Sequence, residues 1–309
     1  MSLEMRVAKS KEMKAAKEEA YRLSQALVFD NDLGNTDWNV VRALLRKREQ
    51  VRRRKYDIDL KKLEISGSYY AELTEPDNSR EDTIFYFLHG GAFVLGIMPS
   101  ARAYAEMLAE SSGCRVYTAD YSLSPENKYP VALNECHEIY KYIMKQHPDS
   151  RIVIVGESVG GNLALALTHR LKQRGERIPS GVVLFSPMID LSGKLDRNID
   201  VAENNDSIIL PGTETGYIKA YAGKADLTNS EISPCCGDMT GFPPTFIVCD
   251  INETLYADSE ALNGMLESAG VRVNTVSYEG TYHAFAVLGK KTPETAELLN
   301  EYLKFHGVI

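Results

Sequence analysis

One serine occupies a position from which its hydroxyl could attack a carbonyl carbon. Ser158 stands in the run Gly-Glu-Ser-Val-Gly at 156–160, after a β-rich stretch at 151–155 and before a helix-favouring stretch that opens at Gly161. Such a serine needs a base to take its proton, and its oxygen must protrude from the chain. A tight strand-to-helix turn exposes that oxygen, and glycines leave room for the turn. The pattern alone also occurs by chance, so its place between a strand and a helix carries the prediction of a nucleophile.

A glycine loop upstream of this serine could stabilise the negative charge that acyl transfer places on the carbonyl oxygen. This loop is the run Phe-Leu-His-Gly-Gly-Ala-Phe at 87–93, which ends another β-rich stretch. Two adjacent glycines let the backbone approach a substrate closely and turn its amide groups inward. We therefore predict an oxyanion hole formed by the N–H groups of Gly90, Gly91 and Val159.

The chain contains six histidines, and His283 is the predicted base. It lies just after a β-rich stretch that ends at Tyr278, from which an imidazole can reach back over the edge of a sheet. His306 falls in the last helix-favouring stretch, and we interpret it as a surface residue. Because His89 precedes the serine in the chain, we expect it to brace the glycine loop instead of acting as the base.

Two carboxylates could orient His283. Asp250 and Glu253 both follow the β-rich stretch at 245–249. Either side chain could accept a hydrogen bond from the imidazole and hold its tautomer. The residues alone leave both assignments open.

These side chains need a scaffold, and from residue 63 onward the sequence alternates between strand-like and helix-like stretches. The β-rich runs are 83–88, 115–119, 151–155, 181–186, 245–249 and 272–278. Helix-favouring stretches lie near 101–112, 131–147, 161–174, 256–269 and 293–306. This alternation predicts an α/β fold with a mostly parallel sheet covered by helices on both faces, and the run at 65–73 predicts an antiparallel edge strand.

Two segments fall outside this alternation. Residues 5–55 are polar, helix-favouring and almost free of glycine and proline, which predicts two helices. The segment at about 190–230 contains no strand-like run, and an interruption of that length is typical of a lid. We therefore assign residues 1–55 to N-terminal helices that form part of a cap. Residues 56–309 form the catalytic domain, with a cap insertion at about 190–230.

Composition excludes several classes of protein and partner. Hydrophobic residues make up 44% of the 309 residues and charged residues 25%, as in globular proteins. A net charge of −8 disfavours nucleic acid as a partner. The basic stretch 46–55 could meet acidic lipid or RNA, but interspersed apolar residues favour a solvated helix face. Five scattered cysteines and the lack of an apolar leader predict a cytoplasmic protein without stable membrane association.

In combination, these motifs resemble the hormone-sensitive-lipase-like esterases, also called the HGG-type α/β-hydrolases. The similarity covers most of the chain from about residue 80 to 309. The family's HGGG-F, DYRLAPE-FPA, GDSAGG and Y-x-G-x-x-HGF motifs correspond to 89–93, 120–132, 156–161 and 278–285.

The resemblance implies an α/β-hydrolase fold with a mostly parallel eight-stranded sheet, flanking helices and a helical cap. It also implies hydrolysis of short acyl esters without a metal or an organic cofactor. The family's DPLRDEG acid motif is not intact here. Alignment through the downstream Ala269-Gly270 places Glu253 at the family's catalytic aspartate, so Glu253 is the preferred acid and Asp250 the alternative.

The leading hypothesis is an esterase that is acylated at Ser158 and uses His283 first as base and then as acid. A thioesterase, amidase or peptidase of the same fold stays open, because the shape of the pocket selects the leaving group. A non-catalytic small-molecule receptor is disfavoured, because nucleophile, base and a candidate acid are all present. The sequence leaves open the physiological ester, the acyl length and whether the protein forms a homodimer.

Overall fold

The computed structural model describes residues 3–25, 38, 40, 42–43, 59–65, 69–197, 208–209 and 214–309. Within them, the strands are β1 (Glu4–Val7), β2 (Asp59–Ile65), β3 (Tyr69–Glu75), β4 (Arg80–Leu88), β5 (Cys114–Ala119), β6 (Arg151–Glu157), β7 (Gly181–Phe185), β8 (Thr245–Asp250) and β9 (Val273–Glu279). They form one sheet in the order β1-β9-β8-β7-β6-β4-β5-β3-β2. Strand β3 runs antiparallel to both β2 and β5, and the other pairings are parallel.

Helices connect the strands and cover both faces of the sheet. They are α1 (Lys11–Gln25), α2 (Pro99–Ser112), α3 (Val131–Gln146), α4 (Val159–Gln173), α5 (Glu214–Ala222), α6 (Tyr256–Ser268) and α7 (Pro293–Phe305). Two short 3₁₀ helices, Pro234–Cys236 and Phe285–Lys291, lie between them.

The core is divided in two by the sheet, as the central strand β4 illustrates. Ile84 and Tyr86 pack into a cluster with residues of α3 and α4, whereas Phe85 and Phe87 pack into a second cluster with residues of α2 and α7. Successive side chains of a strand point to opposite faces, so a strand covered on both faces needs an unbroken apolar run. This requirement explains why the central strands are visible in the sequence.

Most predicted elements are confirmed, but the number of strands is not. Each β-rich run overlaps a strand and each helix-favouring stretch named above overlaps a helix. The prediction of eight strands is wrong, because the described part of the chain already forms a sheet of nine. The run at 65–73 is divided between β2 and β3, which pair with each other. The strand β1 replaces the start of a predicted helix, since Glu4–Val7 completes the sheet edge against Val276–Glu279.

The N-terminal segment is attached to the sheet and to its last helix. The Arg6 guanidinium donates to Glu301 of α7 at 2.8 and 3.1 Å, and Ser10 Oγ donates to Glu294 Oε2 at 2.7 Å. Met13 of α1 is buried in the cluster on the α2 and α7 face. The start of the N-terminal segment therefore contacts the sheet edge and α7. The basic stretch 46–55 lies outside the described residues.

Two segments that were assigned to the cap meet each other. Trp38 has helical backbone geometry and is buried, and its ring lies 6.3 Å from that of Tyr217 in α5. Because α5 belongs to the insertion at about 190–230, this contact fits a cap built from both segments. The assignment of the two segments to a cap stays a prediction.

His306 does not lie on the surface as expected. It is 7% exposed, and a side chain at Gly181 would overlap its ring. Arg151 donates to the His306 carbonyl at 2.9 Å and holds the turn after α7 against the end of the sheet. Burial lowers the pKa of His306 to about 4.

Candidate active site

Ser158 forms the tip of a sharp turn between β6 and α4. Its φ and ψ are 53° and −119°, a strained conformation for a residue with a side chain. Its amide donates to the Phe185 carbonyl at 2.9 Å, and its own carbonyl accepts from Met188 at 3.1 Å. A Cβ at Gly160 would overlap the Leu88 carbonyl oxygen, so the turn requires glycine there. The strand-turn-helix context predicted for the nucleophile is confirmed.

The glycine loop at 87–93 lies directly against this turn. A Cβ at Gly90 would lie 3.2 Å from Ser158 Cβ and 3.1 Å from the Glu157 carbonyl oxygen. Gly91 has a φ of 104°, and its carbonyl accepts from Val94 at 3.0 Å and Leu95 at 2.8 Å. These contacts place the glycine loop beside the turn that carries Ser158.

The predicted oxyanion donors are not equivalent. The Gly90 N–H donates to Glu157 Oε2 at 3.3 Å, so it already has an acceptor in the protein. Among the described residues, no acceptor receives the N–H groups of Gly91, Ala92 or Val159. Ala92 was not among the predicted donors. Its φ of 53° lies in the left-handed region, and sequence patterns do not reveal such a conformation.

The Glu157 carboxyl group is buried beneath the glycine loop. Burial raises its pKa, whereas the Gly90 amide and the nearby His283 act in the opposite direction. A buried carboxylate needs hydrogen bonds or opposite charge to stay ionised. The hydrogen bond from the Gly90 amide is one such partner of Glu157.

His89 braces the glycine loop. Its ring stacks on Tyr121 with centroids 4.3 Å apart, and its Nδ1 donates to the Gly90 carbonyl at 2.7 Å. The Tyr121 hydroxyl donates to the His89 carbonyl at 2.8 Å. Burial lowers the pKa of His89 to about 4, so the ring is neutral at physiological pH. This arrangement agrees with the predicted structural role.

His283 meets Glu253 at the carboxyl end of the sheet. Its Nδ1 lies 2.8 Å from Glu253 Oε2, and the two side chains are 6% and 1% exposed. Glu253 lies in the turn between β8 and α6, whereas His283 lies in the histidine loop, residues 280–284, after β9. An N–H donated from Nδ1 leaves Nε2 as the basic atom of the imidazole. Of the two candidate carboxylates, Glu253 is the one in contact with His283.

Asp250 accepts hydrogen bonds from the histidine loop. Its Oδ2 accepts from the Thr281 amide at 2.7 Å and from the Thr281 hydroxyl at 2.6 Å. Its Oδ1 accepts from the Asn252 amide at 2.8 Å. The carboxylate therefore fixes the backbone two residues before His283. Thr281 was not singled out from the sequence, because a threonine in a loop carries no distinctive pattern.

A serine at the end of β7 supports the other side of the histidine loop. Ser186 Oγ accepts from the Ala284 amide at 2.9 Å, and Ser186 itself has a φ of 48°. No sequence pattern marks Ser186. Asp250 and Ser186 together hold the backbone on either side of His283.

A residue of the N-terminal segment holds the turn that closes the glycine loop. Arg42 Nε donates to the Val94 carbonyl at 2.7 Å, and its Nη2 donates to the Ser124 carbonyl at 2.6 Å. Both terminal nitrogens also pair with Glu126, at 2.9 and 3.0 Å. Its guanidinium thus joins two loops at the edge of the site. The sequence gives no signal for such a contact between distant segments.

Among the residues that the structure describes, no group of three or more His, Cys, Asp or Glu side chains is arranged to hold a metal ion. In the same part of the chain, no helix is long and apolar enough to cross a membrane.

Comparison with known proteins gives consistent results. Residues 85–287 match the family model of the alpha/beta hydrolase fold. An esterase of Acinetobacter venetianus is 32% identical over 224 residues, which cover 72% of this chain and 74% of that protein. An acetyl-hydrolase of Streptomyces hygroscopicus is 28% identical over 221 residues, 71% of this chain and 73% of its own.

Solved structures agree over almost the whole chain. An esterase from the bacterial hormone-sensitive lipase family has a TM-score of 0.86 at 25% identity, covering 97% of this chain and 98% of its own. A hormone-sensitive lipase from a metagenome library has a TM-score of 0.84 at 26% identity, with the same coverage. With its strand-turn-helix at Ser158 and a family match over well more than half its length, this chain belongs to the α/β-hydrolase fold family, and its resemblance to the hormone-sensitive-lipase-like esterases is confirmed.

Proposed function

We propose that the protein is a serine esterase that hydrolyses short-chain, acetyl-type carboxylic esters through an acyl-enzyme on Ser158. The observation that carries this proposal is the 2.8 Å contact between His283 Nδ1 and Glu253, in a chain whose Ser158 forms the tip of a strained turn. Nucleophile, orienting acid and base follow one another in the chain in the order usual for this fold.

The first half of the reaction uses all three side chains. His283 Nε2 takes the proton of Ser158 Oγ as the oxygen attacks the ester carbonyl. The Glu253 carboxylate stabilises the imidazolium that results. When the tetrahedral intermediate collapses, the C–O bond to the alcohol breaks, and His283 returns the proton to the leaving oxygen. A water molecule then repeats these steps on the acyl-enzyme and releases the acid.

The developing oxyanion needs preorganised donors. We assign this role to the N–H groups of Gly91 and Val159, with Ala92 as a further donor, because none of them is committed to an acceptor in the described part of the chain. Gly90 takes part only when Glu157 releases its amide. Removing one such donor in other enzymes slows turnover by about 10²- to 10³-fold.

The preference for short acyl groups has support from relatives, two of which are named esterase and acetyl-hydrolase. The test is a panel of p-nitrophenyl esters of increasing acyl length, with a matching thioester and anilide, and with Ser158→Ala as the control variant. We expect the highest kcat/KM for the acetyl or butyryl ester and no turnover by the variant. Faster cleavage of the thioester or anilide would instead favour those activities, and saturable binding without turnover would favour a receptor.

We also propose that the protein acts in the cytoplasm. The support is that all five cysteines are unpaired, as is usual where thiols stay reduced. Fractionation of the native host with an antibody against this chain tests the location, and recovery outside the cytoplasm would contradict it.

A further inference from the structure

Two of the five cysteines are adjacent and accessible. Cys235 and Cys236 are half-buried at the end of the 3₁₀ helix Pro234–Cys236, and their sulfur atoms lie 3.9 Å apart. The other cysteines are buried in the core: Cys114, Cys136 and Cys249. Reactive thiols need access and a partner thiol nearby, and only the adjacent pair meets both conditions.

Opposite charges flank the two sulfur atoms. The Lys194 ammonium lies 3.3 Å from Cys236 Sγ, and Ser192 Oγ lies 4.0 Å from the same sulfur. Burial and the Asp190 carboxylate raise the pKa of Cys235. A neighbouring cation stabilises a thiolate, whereas an anion disfavours it. The ammonium group beside Cys236 and the carboxylate beside Cys235 favour Cys236 as the attacking sulfur atom and Cys235 as the second thiol.

We propose that Cys235 and Cys236 form a dithiol site at which small disulfides oxidise the pair to a disulfide bond between the adjacent residues. The separation of the sulfur atoms, the ammonium group beside one of them and the partial exposure of both side chains support this site. A disulfide bond is about 2.0 Å long. The two sulfur atoms must therefore approach each other, and the torsion angles of the turn that carries them must change.

The reaction is a thiol–disulfide exchange in two steps. The Cys236 thiolate attacks one sulfur of the small disulfide, forms a mixed disulfide and releases the first small thiolate. The Cys235 thiol then loses its proton to solvent and attacks Cys236 Sγ, which releases the second. Two protein thiols are oxidised, and one small disulfide is reduced to two small thiols.

The dithiol is connected to the proposed active site through the segment after β7. The Cys235 amide donates to the Ile189 carbonyl at 3.1 Å, and the adjacent Met188 amide donates to the Ser158 carbonyl at 3.1 Å. The same segment begins with Ser186, which supports the histidine loop. A change of backbone conformation at Cys235 therefore displaces the segment after β7, which contacts both the nucleophile turn and the histidine loop.

The test is incubation of the full chain with oxidised glutathione, followed by acid quenching, intact mass measurement and peptide mapping. We expect the chain to lose two hydrogens, after a transient glutathione adduct on Cys236. Cys235→Ser should retain that adduct, and Lys194→Gln should react severalfold more slowly while hydrolysing ester normally. A urea-denatured sample, in which all five cysteines react, controls for reagent quality.

Two results would overturn the modification site: a wild-type chain that keeps a stable glutathione adduct, or one in which both cysteines stay reduced. These mass readouts do not depend on the esterase function. The effect of the dithiol on the active site does rest on the esterase function. If oxidation of Cys235 and Cys236 disturbs the active site, ester turnover should fall severalfold, and dithiothreitol should restore it. Formation of the disulfide bond between Cys235 and Cys236 with unchanged ester turnover would support the modification site and contradict its effect on the active site.

Discussion

The histidine loop and the glycine loop both belong to the candidate active site, but different parts of the chain hold them. The histidine loop is fixed by Asp250 and Ser186, which end the neighbouring strands β8 and β7. The glycine loop is fixed by the buried Glu157 carboxyl group and by Arg42 from the N-terminal segment. The base is thus positioned by the sheet, whereas the oxyanion donors also depend on a segment outside it.

This difference distinguishes the two loops by how firmly the core holds them. Residues at the ends of central strands are set by the core and cannot move without disturbing it. An arginine that reaches in from a separate segment can be released without unfolding the sheet. We therefore expect a variant of the carboxylate that contacts His283 to change the chemical step most, and variants that only release one of the two loops to change it less.

The largest effect is expected from Glu253→Gln. The amide cannot stabilise the imidazolium and can hold the wrong tautomer of His283, so kcat for p-nitrophenyl acetate should fall by about 10³- to 10⁴-fold. Steady-state kinetics at neutral pH measures this change, and circular dichroism controls for folding. A fall of less than tenfold would remove Glu253 from the triad.

Arg42→Ala should have the next largest effect. Loss of the guanidinium frees the Val94 and Ser124 carbonyls, and misplaced oxyanion donors should lower kcat by about 10- to 100-fold with little change in KM. Arg6→Ala is the matched control, because Arg6 also joins the N-terminal segment to the domain, but through Glu301 of α7 and not through the glycine loop. Equal losses of kcat in both variants would show a general effect of loosening the segment.

Asp250→Asn should act mainly on the position of the histidine loop. The asparagine keeps one acceptor oxygen but loses the charge that holds Thr281, so we expect kcat to fall by about tenfold together with the melting temperature. A loss as large as that of Glu253→Gln would transfer the orienting role to Asp250.

The smallest effect is expected from Glu157→Gln, as a change in the pH dependence of stability. Because burial raises the pKa of Glu157, its folded form binds a proton more readily than its unfolded form. Its contribution to stability is therefore full below the ordinary glutamate value of 4.5 and is lost as pH rises through the higher folded value. The variant should not show this loss, so its melting temperature relative to wild type should rise by a few degrees between acidic and neutral pH. A difference in melting temperature between the variant and wild type that stays constant across this pH range would contradict a raised pKa of Glu157 in the folded protein.

The predictable and unpredictable parts of the structure differ in physical kind. The central strands and the turn at Ser158 were predictable, because unbroken apolar runs and required glycines leave their mark on the sequence. The four-residue strand β1 was not, because it forms by completing a sheet edge that only the folded chain provides. Asp250 and Glu253 could not be separated from residues alone, because the turn after β8 decides which carboxylate faces His283. The roles of Ser186 and Arg42 depend on backbone groups of distant loops, which have no sequence pattern.

The most direct test of the central claim is the rate at which a fluorophosphonate probe labels Ser158, measured by intact mass and peptide mapping. The account predicts rapid labelling of Ser158 in the wild type and in Asp250→Asn, labelling slower by orders of magnitude in Glu253→Gln, and none at this position in Ser158→Ala. Folded wild-type protein that gains no adduct on Ser158, or Glu253→Gln protein labelled as fast as wild type, would contradict it.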